Sequence, residues 1–165
     1  MKSKELDALF LEALKDIYYA ERKILRALPK MTRAAQSPEL KQAFQKHREE
    51  TEVQKERLDQ VFEMLGRRPQ GKTCPAIDGI IEEGEEVMDT FKGTPALDAG
   101  LVAAAQAVEH YEMARYGTLC AWAKVLGMDE AVQVLTQTLE EEKKTDETLT
   151  QLAESEINQT AIAAE

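Results

Sequence analysis

The chain reads as an all-α protein: a four-helix bundle with one long crossover that contains a short extra helix. Three observations give this reading. Apolar residues recur at helical spacing almost from end to end. Good helix formers (Ala, Leu, Glu, Gln, Lys) dominate, while aromatics make up 5% and Gly and Pro number only eight and five. The few breakers fall in clusters that divide the chain into two long helical pairs. Its 165 residues suit a single domain, 1–165 with a core at about 4–155, long enough to bury a substantial interior.

The first helix is expected at about 4–33, capped by Ser3, with Pro29 kinking or loosening its last turns. Ser37-Pro38 places a capping hydroxyl before a proline at the first helical position. The second helix then runs to about residue 65, where Gly66 stops it. The run Arg-Arg-Pro-Gln-Gly-Lys-Thr-Cys-Pro at 67–75 reads as loop. A shorter third helix, about 76–91, is weakened by Gly79 and Gly84. Thr94-Pro95 repeats the cap-and-proline signal and opens a fourth helix to about 126. Gly127 ends it, Asp129 caps a fifth helix to about 155, and the tail 157–165 is expected to fray. Short links make each long pair an antiparallel hairpin, and about 30 residues between the pairs can cross the bundle's length. One such crossover is the ferritin-like topology. A plain five-helix bundle is the competing arrangement.

A net charge of −10 argues against a nucleic-acid partner, which needs a basic footprint. No run approaches the ~20 apolar residues of a membrane span, and residues 1–10 lack the apolar core of a secretory leader. Cys74 and Cys120 carry no partner motif, so free thiols in a reducing cytoplasm are expected.

The apolar stripes are interrupted by charge at their centres. On the first helix Leu14, Ile17, Ile24 and Leu28 step by three and four, and the residue that completes the run is Glu21. The second stripe, Leu40, Phe44, Leu58, Val61 and Leu65, passes through His47, then Glu50 or Thr51, then Gln54. The fourth, Leu97, Leu101, Val108, Leu119 and Trp122, passes through Glu112 and Arg115, with Glu109 one turn before Glu112. The fifth, Leu135, Thr138, Leu149 and Leu152, passes through Glu142. A carboxylate in a core is costly unless something pairs it, and several converging at one depth point to a metal site. The candidate ligands are Glu21, His47, Glu50, Glu109, Glu112 and Glu142. Hard carboxylate oxygens with one imidazole suit two divalent ions, iron or manganese, whose open positions would take oxygen or peroxide.

A competing interior is a metal-free ion network in which Arg115 holds one or two of these carboxylates. His110 sits ~100° from Glu109 and reads as peripheral. Glu140, Glu141, Lys143 and Lys144 read as a solvated face with i,i+3 pairing, and Asp146 faces either way. Tyr18, Tyr111 and Tyr116 read as core or boundary aromatics, with Tyr116 placed to hydrogen-bond a ligand.

Four segments carry a resemblance: Ala20-Glu21-Arg22-Lys23, His47-Arg48-Glu49-Glu50-Thr51, Ala105-Gln106-Ala107-Val108-Glu109-His110-Tyr111-Glu112, and Leu139-Glu140-Glu141-Glu142-Lys143. Arg115-Tyr116-Gly117-Thr118-Leu119 adds a fifth. Through them the chain resembles the YciF-like (YciE/YciF) bacterial stress proteins of the ferritin-like superfamily, across about 4–155. The resemblance implies a cytoplasmic ferritin-like bundle that forms a homodimer, and it implies no particular reaction. The wider superfamily places a Glu on two helices and Glu-x-x-His on the other two. Glu21 and Glu112 (or Glu109) match the single-Glu positions. The second helix carries the reversed His47-x-x-Glu50, and the fifth has Thr145 where the histidine would follow Glu142.

Overall fold

The computed structural model describes residues 5–162, and the Ser3 cap lies outside them. Its elements are α1 (Leu6–Ala34), α2 (Pro38–Met64), α3 (Pro75–Thr90), α4 (Leu97–Val125) and α5 (Asp129–Leu152). A π-helical turn (Ala153–Ile157) and a short α6 (Asn158–Thr160) follow. Among the described residues no helix is long and apolar enough to cross a membrane.

The buried seams explain the bundle. α1 buries Phe10, Leu14, Ile17, Glu21, Ile24, Leu28 and Met31, in alternating steps of four and three. α2 repeats the rhythm with Leu40, Phe44, His47, Thr51, Gln54, Leu58 and Val61. Such steps average 3.5 residues, the spacing that keeps a seam facing its neighbours in a gently supercoiled bundle. Tyr18 meets Phe62 edge to face within the α1–α2 hairpin, ring centroids 5.5 Å apart.

Cross-helix pairs fix the topology. Glu50 with Thr145 (3.3 Å), Gln54 with Glu141 (3.0 Å) and Arg57 with Thr138 (3.2 Å) show α2 and α5 running antiparallel. Lys23 with Asp78 (3.3 Å) and Lys30 with Glu85 (3.0 Å) show α3 running parallel to α1. The crossover helix thus carries the chain back along the bundle before α4 descends. The arrangement is the four-helix bundle with one long crossover.

Several ends follow the sequence signals. Ser37 Oγ accepts the Leu40 N–H at 3.3 Å, with Pro38 at the first helical position. Gly66 (φ 64°) and Gly127 (φ 71°) take the left-handed conformation. At each, two backbone bonds close the helix: Gly66 N–H to Glu63 O with Arg67 N–H to Phe62 O, and Gly127 N–H to Lys124 O with Met128 N–H to Ala123 O. α1 continues through Pro29 to Ala34, and the Ala35 N–H still reaches Met31 O at 2.9 Å.

Other ends differ. The Thr94 hydroxyl donates to Phe91 O at 2.8 Å rather than capping α4, whose preceding residue is Ala96. Asp129 is the first residue of α5 rather than its cap, so its charge acts in the first turn, where the helix dipole favours an anion. The tail does not fray at 157: Leu149, Ala153 and Ile157 extend the α5 seam and are buried. Gly79 and Gly84 do not break α3, whose start is capped by Cys74 Sγ accepting the Ile77 N–H at 3.4 Å. Gly100 decides how closely α3 and α4 pack, because a Cβ there would lie 2.5 Å from Val87 Cγ1.

One buried charge ties the two hairpins together. Asp98, at the start of α4, accepts the backbone N–H groups of Gln36 (2.8 Å) and Ser37 (2.7 Å) in the α1–α2 link. Hydrogen bonds to a charged group contribute about 1.5–3 kcal/mol each, and both N–H donors would lose their partner together. Asp98→Ala is therefore expected to lower unfolding stability by roughly 2–4 kcal/mol in urea melts. A change below about 0.5 kcal/mol would contradict this account of the clamp.

Candidate metal centre

Each long helix delivers ionisable groups from the middle of its seam. Glu21 comes from α1, His47 from α2, Glu109 and Glu112 from α4, and Glu142 from α5; all five are buried. Their depth follows from their place in the stripe, because the buried residues of the same seam toward either end of each helix hold that face inward. His47 Nε2 lies 2.8 Å from Glu109 Oε1, 3.8 Å from Glu112 Oε2 and 3.9 Å from Glu142 Oε2. One ligand atom from each of His47, Glu109, Glu112 and Glu142 falls within 4.8 Å of all the others.

Glu21 joins from the side. Tyr116, fully buried, donates its hydroxyl to Glu21 Oε1 at 2.7 Å, and Glu21 Oε2 is left without a hydrogen-bond partner. The same holds for His47 Nε2 and for both oxygens of Glu109, Glu112 and Glu142. The close His47–Glu109 approach lacks the alignment of a hydrogen bond. When ionised, these carboxylates have no donor within reach apart from Tyr116 and His47, and all of the free atoms are of the kinds that bind metals.

The electrostatics agree. Burial, the largest influence on each, pushes Glu21 up to about 7 and Glu109 up to about 8. Burial likewise raises Glu112 and Glu142 well above the carboxylate range, with neighbouring glutamates adding to it. Burial and the adjoining Glu21 also push the Tyr116 phenol well up. Burial thus favours the protonated form of all four carboxyls when no cation is present.

The structure separates the remaining candidates. Glu50 stands at the margin: its side chain is 24% exposed, lies 3.7 Å from Lys46 and accepts from Thr145 Oγ1 at 3.3 Å. Thus Glu50 and Thr145, the two places where the ligand pattern departs from Glu-x-x-His, meet each other at the edge of the group. Arg115 points outward, 3.9 Å from Asp16 with its guanidinium 5.3 Å from the centre of the Tyr111 ring, and gives the interior no counter-charge. The Arg115-centred network expected as a rival is therefore absent. His110 is exposed and pairs with Asp146 at 3.2 Å.

Two features were missed by sequence reasoning. Lys143 pairs with Glu140 at i,i+3 as expected, but Glu141 turns away to meet Arg57 in a two-pronged bond, both contacts 2.7 Å. Gln54 joins them at 3.0 Å. The one signal for this clamp was Arg57 lying beside Leu58 in the α2 seam. Cys74 is no bare loop residue, since its Sγ lies 3.1 Å from the Tyr111 hydroxyl. Both cysteines are free thiols.

The raised carboxyls make a pH prediction. In the unfolded chain they titrate near 4.5, whereas the fold keeps protons on Glu21 and Glu109 to about 7 and 8. Between these limits the native state binds more protons, so the stability tied to them is complete below about pH 4.5 and is lost as pH rises through about 8. Metal-free protein is expected to melt at progressively lower temperature from about pH 5 to pH 8.5. Glu109→Gln, which cannot ionise, should flatten that slope by up to about 1.4 kcal/mol per pH unit. A slope identical in the variant would refute the assignment.

Comparison with known proteins places this geometry in a family. Residues 5–162 match the family model described as a domain of unknown function, DUF892. Protein YciF of Escherichia coli K12 is 45% identical over 162 residues, 98% of each chain. Its crystal structure, described as that of a stress protein, superposes with a TM-score of 0.89 over 96% of this chain and 99% of that one. YcfI of Rhodopseudomonas palustris, described as a candidate structural protein, is 51% identical with a TM-score of 0.87, over 90% of this chain and 95% of that one. A Xanthomonas campestris protein at 22% identity shares the fold, with a TM-score of 0.74 over 94% of each chain. The chain belongs to the DUF892 family and is a YciF-like protein.

Proposed function

We propose that this YciF-like chain is a stress-associated metal protein that binds divalent iron or manganese in the bundle core, two ions at full occupancy. One observation carries the reading. Four buried side chains from three helices bring ligand atoms within 4.8 Å of each other, with no lysine or arginine among them to balance their charge. Carboxylate oxygens with one imidazole favour iron or manganese over softer-ligand metals. Glu21, Glu109, Glu112 and Glu142 together supply the charge that two divalent cations neutralise.

His47, Glu109, Glu112 and Glu142 would hold the first ion, and Glu21 beside Glu112 would extend the ligand set to a second. Once bound, such metals supply Lewis-acid and electron-exchange chemistry toward oxygen or peroxide. The chain's own part is positioning and exclusion of water. Tyr116 fixes Glu21 through Oε1 and leaves Oε2 available. The packed seams toward either end of the group keep bulk water out, and Glu50 with Thr145 lines the α2–α5 opening. The stress description of the Escherichia coli relative supports the physiological setting.

The description of YcfI favours a second reading, a structural protein whose interior carboxyls stay protonated. A thermal melt separates the two. Ferrous or manganous ion at about a hundredfold excess over Kd should raise the melting temperature by roughly 5–10 °C. The double variant Glu21→Gln, Glu112→Gln should lose that rise and, metal-free at about pH 8, melt no lower than the unmodified chain, because amides cannot repel one another as carboxylates do. The structural reading expects no response to metal and a less stable double variant.

A further inference from the structure

A cavity of about 30 Å³ lies between α1, α3 and α4 and ends against the His47 ring. Ile24, Leu28, Ile81, Ala105 and Val108 form its walls. The space exists because small residues stand where larger ones would fill it: Gly84 on α3 faces Ala104 on α4, where even an added Cβ would make ordinary contact at 3.5 Å. Lys30 and Glu85, paired at 3.0 Å, bridge α1 and α3 among its lining residues and are themselves exposed, which places them at the mouth. The crossover helix is therefore the wall that turns a groove between α1 and α4 into a chamber.

Its size and chemistry select an occupant. By this measure one water needs about 10–15 Å³, so the cavity admits roughly two water-sized spheres. Water is held in such a place only by two to four polar partners, and apart from Lys30 and Glu85 at the mouth the lining provides only His47. Hydrated ions have a different approach. A second opening, between α2 and α5, is lined by Lys46, Glu50, Lys144 and Thr145 and also reaches His47. His47 is thus the partition between a polar opening and an apolar chamber.

We propose that the chamber between α1, α3 and α4 binds a small uncharged apolar molecule of diatomic size, dioxygen being the fitting chemistry, and leads it to the buried glutamates. The chamber stands on the fold alone; its use in delivering an oxidant rests on the metal reading above. Apolar cavities can stay dry and take up xenon, which makes xenon the probe.

Crystals of the full chain pressurised with xenon should show the atom in this chamber, between Leu28, Ala105 and His47. Ala105→Leu should abolish that occupancy, and Val108→Ala, which enlarges the space, should raise it. In protein loaded with ferrous ion, Ala105→Leu should slow oxygen consumption severalfold with ferrous affinity unchanged. No xenon in the chamber of the unmodified chain overturns the proposal, as does xenon that ignores both substitutions. If Ala105→Leu fails to fold, Val108→Ala decides. If the protein takes up no ferrous ion, the metal reading falls together with oxidant delivery, while the xenon result still decides the binding site.

Discussion

Everything in this bundle is arranged around the burial of four carboxyl groups and one imidazole at a single level of four helices. An unpaired ion in a protein interior costs several kcal/mol, and like charges side by side add to that. The fold meets the cost by holding the carboxyls protonated when no cation is bound, as the upward shifts of Glu21 and Glu109 to about 7 and 8 indicate. A divalent cation would replace those protons with a single attraction shared by all of them. On the proposed metal reading the interior would have two charge-balanced states, and the seams would keep one geometry in both.

That demand explains where the strong structural interactions lie. Arg57 grips Glu141, the residue next to Glu142, through two 2.7 Å contacts and locks α2 against α5. Asp98 fastens α4 to the α1–α2 link. Gly100 admits Val87, so that α3 lies tightly on α4 and closes the apolar chamber beside His47. None of these interactions uses a cluster residue. Arg57, Glu141 and Asp98 find their partners among themselves or on the backbone and leave the buried glutamates and His47 to one another.

The fold was legible because seven-residue rhythms and helix punctuation point the same way. Gly66, Gly127 and Ser37-Pro38 each carry a backbone requirement that only one local structure meets. The centre was legible for the same reason: Glu21, Glu112 and Glu142 stand in runs where an apolar residue is expected, and a charge there has no solvent to face. Glu50 was ambiguous because His47, Glu50 and Thr51 share one edge of α2, and only packing against α5 decides that Thr51 turns in while Glu50 meets Lys46 and Thr145. Arg115 misled for the opposite reason. Its long side chain lets a seam-edge residue lead its charge outward to Asp16. The Arg57–Glu141 clamp and the Asp98 contacts join residues far apart in sequence, and no local pattern encodes such pairs.

The central claim concerns where a cation sits, and anomalous scattering measures that directly. Crystals grown with manganous ion, recorded on both sides of the manganese absorption edge, should show a peak enclosed by His47, Glu109, Glu112 and Glu142. A second peak should lie toward Glu21 as occupancy rises. Peaks confined to surface carboxylates, or an interior without anomalous signal at saturating manganese, would contradict the account.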